Sequence, residues 1–400
     1  MKISFNLEGV TFYLVLLFGI FNSVFRYYLF NTPFFPIVYI SQLLMIIVVS
    51  IHFISFLNQI KVKRNFLILA IMIVLALCIG VIYTKTVLQV FMGVYILIPL
   101  LYGFVMYPFF ERILSYRHFY KIILIIGILG VLFNLILIFP WEGFKYEVYG
   151  KTIEGNRFWT ASGVRRLSGL GRSSFETAGY MLFLGIMYIL KNFKINLVWI
   201  LAGVAIYFTD TKGILIAYVL ISLLVLLWNH ISDSSKKIGL LTILFINLAL
   251  PILSWSFSIE DITSVKFLRS FEMRLEGTWP EAYRLISESG NLFTGRGIGG
   301  IGVPQNIFEP ELSHPGDNLF VYLIAIFGIG AFIIYGFLVR GVYNKEVTKT
   351  EVYKLFYILS IYVFGYGVTT NVIELPVMSI CLGLVFRYWV DDKKYEIKQL

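Results

Sequence analysis

Two groups of arginines are the residues of this chain most suited to chemistry: Arg165, Arg166 and Arg172 in one polar stretch, and Arg274, Arg284 and Arg296 in another. A planar guanidinium grips a phosphate through two parallel hydrogen bonds, which a lysine ammonium does not do. Close to the second group runs Ser313-His314-Pro315-Gly316-Asp317-Asn318. His314 or Asp317 could take a proton from a hydroxyl nucleophile, and His314 could equally meet a phosphate as a cation. Lys212, in Thr209-Asp210-Thr211-Lys212-Gly213, is a further candidate anion contact. The arginines therefore point to a site for a phosphate-bearing anion.

Local ion pairing is the competing use of the same side chains. Arg284 has Glu281 and Glu288 at helical spacing, Arg172 has Glu176, Arg157 has Glu154, and Arg269 has Glu272. Arg165 and Arg166 have no acid nearby in sequence, and Arg274 has none three or four residues away. Arg296 stands in Gly295-Arg296-Gly297-Ile298-Gly299-Gly300, flexible enough to bring backbone N–H groups near an anion. Tyr146, Tyr149, Trp159, Trp279 and Tyr283 are candidates for stacking on sugars or anchoring at a membrane interface.

The elements that must carry these residues are membrane helices. Apolar residues make up 58% of the chain and charged residues 14%, the balance of an all-α polytopic integral membrane protein. About twelve transmembrane helices are predicted, near 9–28, 37–57, 66–84, 87–107, 121–139, 174–190, 195–210, 213–229, 238–256, 318–339, 354–371 and 372–389. Threaded this way, one side holds 14 Lys and 5 Arg, and the other 5 Lys and 9 Arg. The Lys-rich side includes Lys61, Lys63, Arg64, Arg112, Arg117, Lys121, Lys191, Lys194, Lys236, Lys237, Lys345, Lys349, Lys354, Lys393 and Lys394. By the positive-inside rule that side is cytoplasmic and holds both termini, with the first helix retained rather than cleaved. The net charge of +10 is thereby explained without nucleic acid.

Most of the arginines on the opposite side fall in two long connections, about 140–173 and 257–317. In the second, Val265, Leu268, Phe271 and Leu275 predict a helix near 263–275. Thr278-Trp279-Pro280-Glu281 predicts another near 279–289, opened by a capping box and closed by Gly290. Cys78 and Cys381 lie in apolar segments and read as small hydrophobes. There is no phosphate-binding Gly-Lys-Ser/Thr loop and no metal-spaced Cys/His cluster, so neither cofactor nor metal is expected. The outer side has no nucleotide pool, so the donor must arrive activated, as a lipid-linked diphosphate.

Three stretches within about 165–335 resemble the superfamily of O-antigen polymerases and O-antigen ligases. Arg166-Leu167-Ser168-Gly169, leading into Ser174 to Tyr180, is similar to its Arg-x-x-Gly segment. Arg274, Trp279 and Ala282, running to Gly295 and Gly297, resemble its Arg…Trp…Gly-x-Gly stretch. Asp317-Asn318-Leu319 before Phe327-Gly328-Ile329-Gly330 looks like its His-Asn-Leu…Gly-x-x-Gly helix start, with Asp in place of the family's His and His314 three residues earlier. Arg284 and Gly295 match the Arg-x10-Gly spacing of polymerase loops.

The resemblance implies a Wzy-type polymerase in the bacterial inner membrane. At the periplasmic face it would join oligosaccharide repeat units carried on undecaprenyl diphosphate. Arg166 and Arg274 would bind the donor diphosphate, helped by Arg165, Arg172, Arg284, Arg296 and Lys212, while His314 or Asp317 handles the acceptor hydroxyl. Membrane lipids, a chain-length regulator and a flippase are the implied partners. The alternatives are an O-antigen ligase acting on lipid A-core and a lipid-linked oligosaccharide flippase.

Overall fold

Almost all of the ordered secondary structure is helical, because long runs of Ile, Leu, Val and Phe interrupted only by small or capping residues leave the backbone no partner but itself. The structure, a computed structural model, describes residues 7–60, 64–110, 116–148, 151–161, 164–190, 192–256, 269–348 and 350–391. Lys61, Lys63, Arg112, Tyr149, Lys191, Lys349, Lys393, Lys394 and the 257–268 part of the predicted amphipathic stretch lie outside the described residues.

In chain order the helices are α1 (Leu7–Ile20), α2 (Asn22–Leu29), α3 (Ile40–Ile60), α4 (Arg64–Tyr83), α5 (Val87–Met106) and α6 (Arg117–Ile136). Two small hairpins follow, β1 (Lys145–Val148) with β2 (Lys151–Glu154) and β3 (Thr160–Ala161) with β4 (Val164–Arg165). Then come α7 (Ser174–Ile189), α8 (Leu197–Phe208), α9 (Lys212–Leu227) and α10 (Asp233–Ser256). The second long connection carries α11 (Arg269–Met273), α12 (Trp279–Ser289) and α13 (Val303–Phe308). The chain ends with α14 (Leu319–Phe327), α15 (Gly330–Asn344), α16 (Glu351–Gly367) and α17 (Pro376–Val390).

Each predicted span coincides with helix, but not one for one. Among the described residues five helices are long and apolar enough to cross a membrane, or six if α1 and α2, bent by 77°, make one span. α7, α8, α9 and α17 are apolar but shorter. The predicted span 318–339 is two helices, broken at Gly328, whose φ of +54° carries the backbone where a side chain would strike the Phe293 carbonyl. The predicted closing pair separates at 368–375, which forms a connection outside both α16 and α17.

The core lies along α7, α14, α16 and α17, buried on nearly every face. The outer surface of the bundle is apolar too, with Leu43, Ile47 and Ile51 on α3 and Val74, Leu75 and Ile82 on α4 exposed. A surface of this kind suits lipid rather than water.

The connections gather at two ends. At one end Ser23 donates to the Gly171 carbonyl, the Lys85 N–H to Glu309, Arg166 to the Asp210 carbonyl and the Val303 N–H to Glu374. At the other, Arg117 reaches the Tyr188 carbonyl, Tyr357 the Lys236 carbonyl, and the Lys237 ammonium the Tyr343 carbonyl. Nearly all the described arginines of the two long connections belong to the first end.

Candidate functional site

At the arginine-rich end the backbone is turned by unusual local geometry. Residues Arg274–Thr278 form a π turn between α11 and α12, an insertion that recurs at functional sites. It explains why the expected capping box is absent: Thr278 is itself helical, with no side-chain cap, and its hydroxyl faces the Met273 carbonyl at 3.4 Å. α12 runs over 279–289 as the sequence predicts, but Gly290 closes it with φ −160°, not in the left-handed form.

The π turn directs Arg274 to Asp317. Nη2 lies 3.4 Å from the Asp317 carboxylate, while Nη1 donates to the Ser270 carbonyl at 2.7 Å and hydroxyl at 2.6 Å. Burial pushes the Asp317 carboxyl above its ordinary value, opposed by the Arg274 and His314 charges. The Trp279 indole donates to the Asp317 carbonyl at 3.2 Å, so Trp279 is a fully buried strut rather than a sugar platform. Tyr283, buried and stacked on Trp255, is likewise structural.

Arg166 arrives from the first long connection. Its backbone N–H bonds the Trp159 carbonyl at 3.0 Å, and its Nη2 donates to the Asp210 carbonyl at 2.8 Å. Asp210 has a φ of +49°, a conformation that Asp tolerates better than most residues, and its carboxylate lies 3.9 Å from Arg166 Nε. The charges of Arg166, Arg274 and Asp317 all act on the Tyr366 hydroxyl at the end of α16.

His314 is placed to orient, not to accept. Its Nδ1 accepts the Gly316 N–H at 3.0 Å, so the neutral ring carries its proton on Nε2. Burial holds the imidazole below the ordinary histidine value, against the pull of the Thr278 carbonyl, Asp317 and Glu281. Asn318, next to Asp317, caps α14 through the N–H groups of Phe320 and Val321, and its amide ties the Asn247 and Val368 carbonyls together. The Asp-Asn-Leu motif is thus a positioned carboxylate followed by a structural cap.

Other candidates sit elsewhere. Arg165 pairs with Glu142. Arg284 is exposed on α12, 3.8 Å from Glu288. Lys212 opens α9, two residues beyond Asp210. The glycine segment is no anion cradle, since the N–H groups of Gly295, Arg296, Ile298 and Gly300 go to the Asn291, Ala325, Ala76 and Gly297 carbonyls.

Arg296 is buried within that segment, 1% exposed. It donates to the Ser289, Gly300 and Tyr83 carbonyls and to the Glu309 carboxylate at 2.9 Å. Removing one partner of a buried pair strands the other charge, so Arg296→Gln is expected to cost about 3–5 kcal/mol of stability. The drop should appear in the thermal unfolding of the purified protein, with transfer per folded molecule unchanged. Lost transfer at wild-type stability would return Arg296 to the ligand contacts.

One residue escaped sequence reasoning. Glu374, in the 368–375 connection, accepts the Val303 N–H at 2.7 Å and faces the Tyr322 hydroxyl at 3.4 Å. Burial lifts its carboxyl to about 7, opposed by the Val303 N–H, Arg157 and Tyr322, with Asp317 adding to the rise. Gly302, with φ +75°, lets the backbone pass where any side chain would collide with Glu374. The available signal was an isolated acid inside a predicted apolar pair, which marks a functional position by default.

No group of three or more His, Cys, Asp or Glu among the described residues is placed to hold a metal ion. Arg166 and Arg274 can neutralise an anion, and Glu374 or Asp317 can move a proton. The fold and site define an all-α protein with membrane-type apolar helices and an arginine–carboxylate centre at one end. The chain matches no family model, no curated protein and no solved structure.

Proposed function

We propose that this chain is a repeat-unit polymerase of the Wzy type, a glycosyltransferase of the bacterial inner membrane. It would have about twelve spans, cytoplasmic termini and the arginine-rich end facing the periplasm. The observation that carries this reading is a pair of arginine–carboxylate contacts made from two separate long connections, Arg274 with Asp317 and Arg166 with Asp210. Contacts of Lys236, Lys237 and Arg117 at the opposite end of the bundle support the orientation.

In this reading the growing glycan leaves its undecaprenyl diphosphate for a sugar hydroxyl of the incoming lipid-linked unit. The bond from the anomeric carbon to the phosphate oxygen breaks as the bond to the acceptor oxygen forms. Arg166 and Arg274 hold the departing diphosphate, and the acceptor proton passes to Glu374, whose raised pKa suits a base near neutral pH. Asp317 fixes Arg274, and His314 supports Asp317. A ligase would share donor and scaffold; the flippase reading fits less well, because the arginines converge in the connections rather than between helices.

The test is a surface-polysaccharide gel of a strain lacking this gene. The expected result is a single repeat unit on lipid A-core, restored to a ladder by the wild-type gene. Long polymer accumulating off lipid A would mean a ligase, and no attached or free glycan outside the membrane would mean a flippase.

A further inference from the structure

Six of the seven tryptophans are used in packing. Trp141, Trp199, Trp228, Trp255, Trp279 and Trp389 each lie against at least one other aromatic ring. Four of them also donate an indole hydrogen bond: Trp141 to the Gly169 carbonyl, Trp199 to the Ser222 hydroxyl, Trp279 to the Asp317 carbonyl and Trp389 to the Ser360 hydroxyl. Trp159 is the exception. It is 51% exposed, and among the described residues its ring meets no aromatic or cationic neighbour and its indole N–H no acceptor. A bare indole gains by being covered, and its N–H gains by finding an acceptor.

The hairpin that carries Trp159 narrows what covers it. The pairing of β3 with β4 sets Thr160 opposite Arg165 and Ala161 opposite Val164. The same register continues one residue outward, because the Arg166 N–H donates to the Trp159 carbonyl at 3.0 Å. Trp159 and Arg166 are therefore cross-strand neighbours, whose side chains leave one face with Cβ atoms about 4.5–5.5 Å apart. Arg165, the next residue, goes to Glu142 from the other face. One face of the hairpin thus carries a guanidinium fork and an uncovered aromatic ring together.

A glycosyl diphosphate has the same two parts in the same proximity. Its diphosphate bears the charge, and the sugar bonded to it has an apolar face of C–H bonds with hydroxyls around the edge. An indole suits that sugar, with its ring against the C–H face and its N–H free for a hydroxyl. A membrane anchor needs the ring but no register with an arginine. Trp255, 54% exposed at the end of the long apolar helix α10, has the placement of an anchor. Trp159 lies in a connection between helices.

We infer that Trp159 is a carbohydrate contact, its indole stacking on the sugar bonded directly to the donor diphosphate while Arg166 meets the phosphate. The place of that sugar in the reaction rests on the polymerase reading; recognition of a glycosyl diphosphate through Trp159 does not. Trp159 makes and breaks no bond. It distinguishes substrate from product: the bare lipid diphosphate left after transfer loses the stack and is held less tightly.

The test is binding to the purified full-length protein in detergent, with two probes: the lipid-linked repeat unit extracted from the host strain, and undecaprenyl diphosphate without sugar. The wild type should prefer the sugar-bearing lipid by about tenfold, the scale of one aromatic stacking contact. Trp159→Ala should remove that preference and leave the affinity for the bare diphosphate unchanged, while Trp159→Phe keeps most of the preference. Trp159→Gln, which puts a polar side chain at the exposed position, decides the matter if the alanine variant does not fold. A variant without the ring that keeps the preference would overturn the inference. Equal weakening of both lipids would overturn it too, because that is the behaviour of a membrane anchor. If the preference depends on Trp159 but the gene deletion leaves the ladder intact, the polymerase reading falls and the sugar contact stands.

Discussion

Arg274→Lys is expected to reduce repeat-unit joining by roughly a hundred- to a thousand-fold, the usual consequence of removing one preorganised donor from a developing anion. Arg274 works through its fork. Nη1 is held by both oxygens of Ser270, and Nη2 lies 3.4 Å from Asp317, so the guanidinium plane is fixed before any substrate arrives. A single lysine ammonium cannot satisfy Ser270 and Asp317 together and still offer two parallel donors to a phosphate. Lysine keeps the positive charge that opposes the burial of the Asp317 carboxyl, so the expected loss is of the fork's geometry rather than of charge. The measurement is the ladder made by the complemented deletion strain, with membrane abundance of the variant checked beside it. A full-length ladder from Arg274→Lys would remove the bidentate phosphate contact from the mechanism. A lost ladder with normal abundance, together with wild-type binding of the diphosphate, would move Arg274 from ligand contact to positioning.

Sequence spacing found half of the local ion pairs and missed those that cross the fold: among the described residues, Arg172 and Arg269 have no carboxylate within 4 Å. Arg157–Glu154 and Arg284–Glu288 are three and four residues apart, and both form. Arg165, Arg166 and Arg274, which have no acid at helical spacing, find Glu142, Asp210 and Asp317 through tertiary packing. Such partners are invisible to periodicity, because only the folded connections bring them together. Arg296 shows the same effect in reverse. Its glycine-rich setting suggested an open loop, yet those glycines are there to let the segment pack closely against helices, where Arg296 is consumed as a strut.

The fold was more legible than the site. Runs of apolar residues mark helices reliably, and α12 lies where its Pro, Trp and amphipathic spacing place it. Hydropathy cannot count spans where the chain bends without losing its apolar character. The turn at Phe21 between α1 and α2 and the break at Gly328 both sit inside continuous apolar sequence. The short connection at 368–375 was blurred for the same reason, and Glu374 was hidden with it.

Glu374→Gln is expected to produce a protein that is more stable at alkaline pH and far less active. The carboxyl sits near 7 in the folded protein against an ordinary 4.5, because burial disfavours its charge. The native state therefore binds more protons than the unfolded state between those values. The group's contribution to stability is complete below pH 4.5 and is lost as the pH rises through about 7. Glutamine resembles the protonated acid, still accepts the Val303 N–H, and never ionises, so the variant should lack that loss. At pH 8 it should unfold at a higher temperature than wild type, with the difference vanishing toward pH 4.5. Catalysis runs the other way. A base must be ionised to take the acceptor proton, so wild-type transfer should rise with pH through about 7, and the variant should fall by about 10²–10⁴-fold and lose that dependence. Equal rates and profiles would assign the proton to Asp317 instead. A variant less stable than wild type at pH 8 would mean that Glu374 is held as a charged partner of Arg157, and the burial account of its pKa would fail.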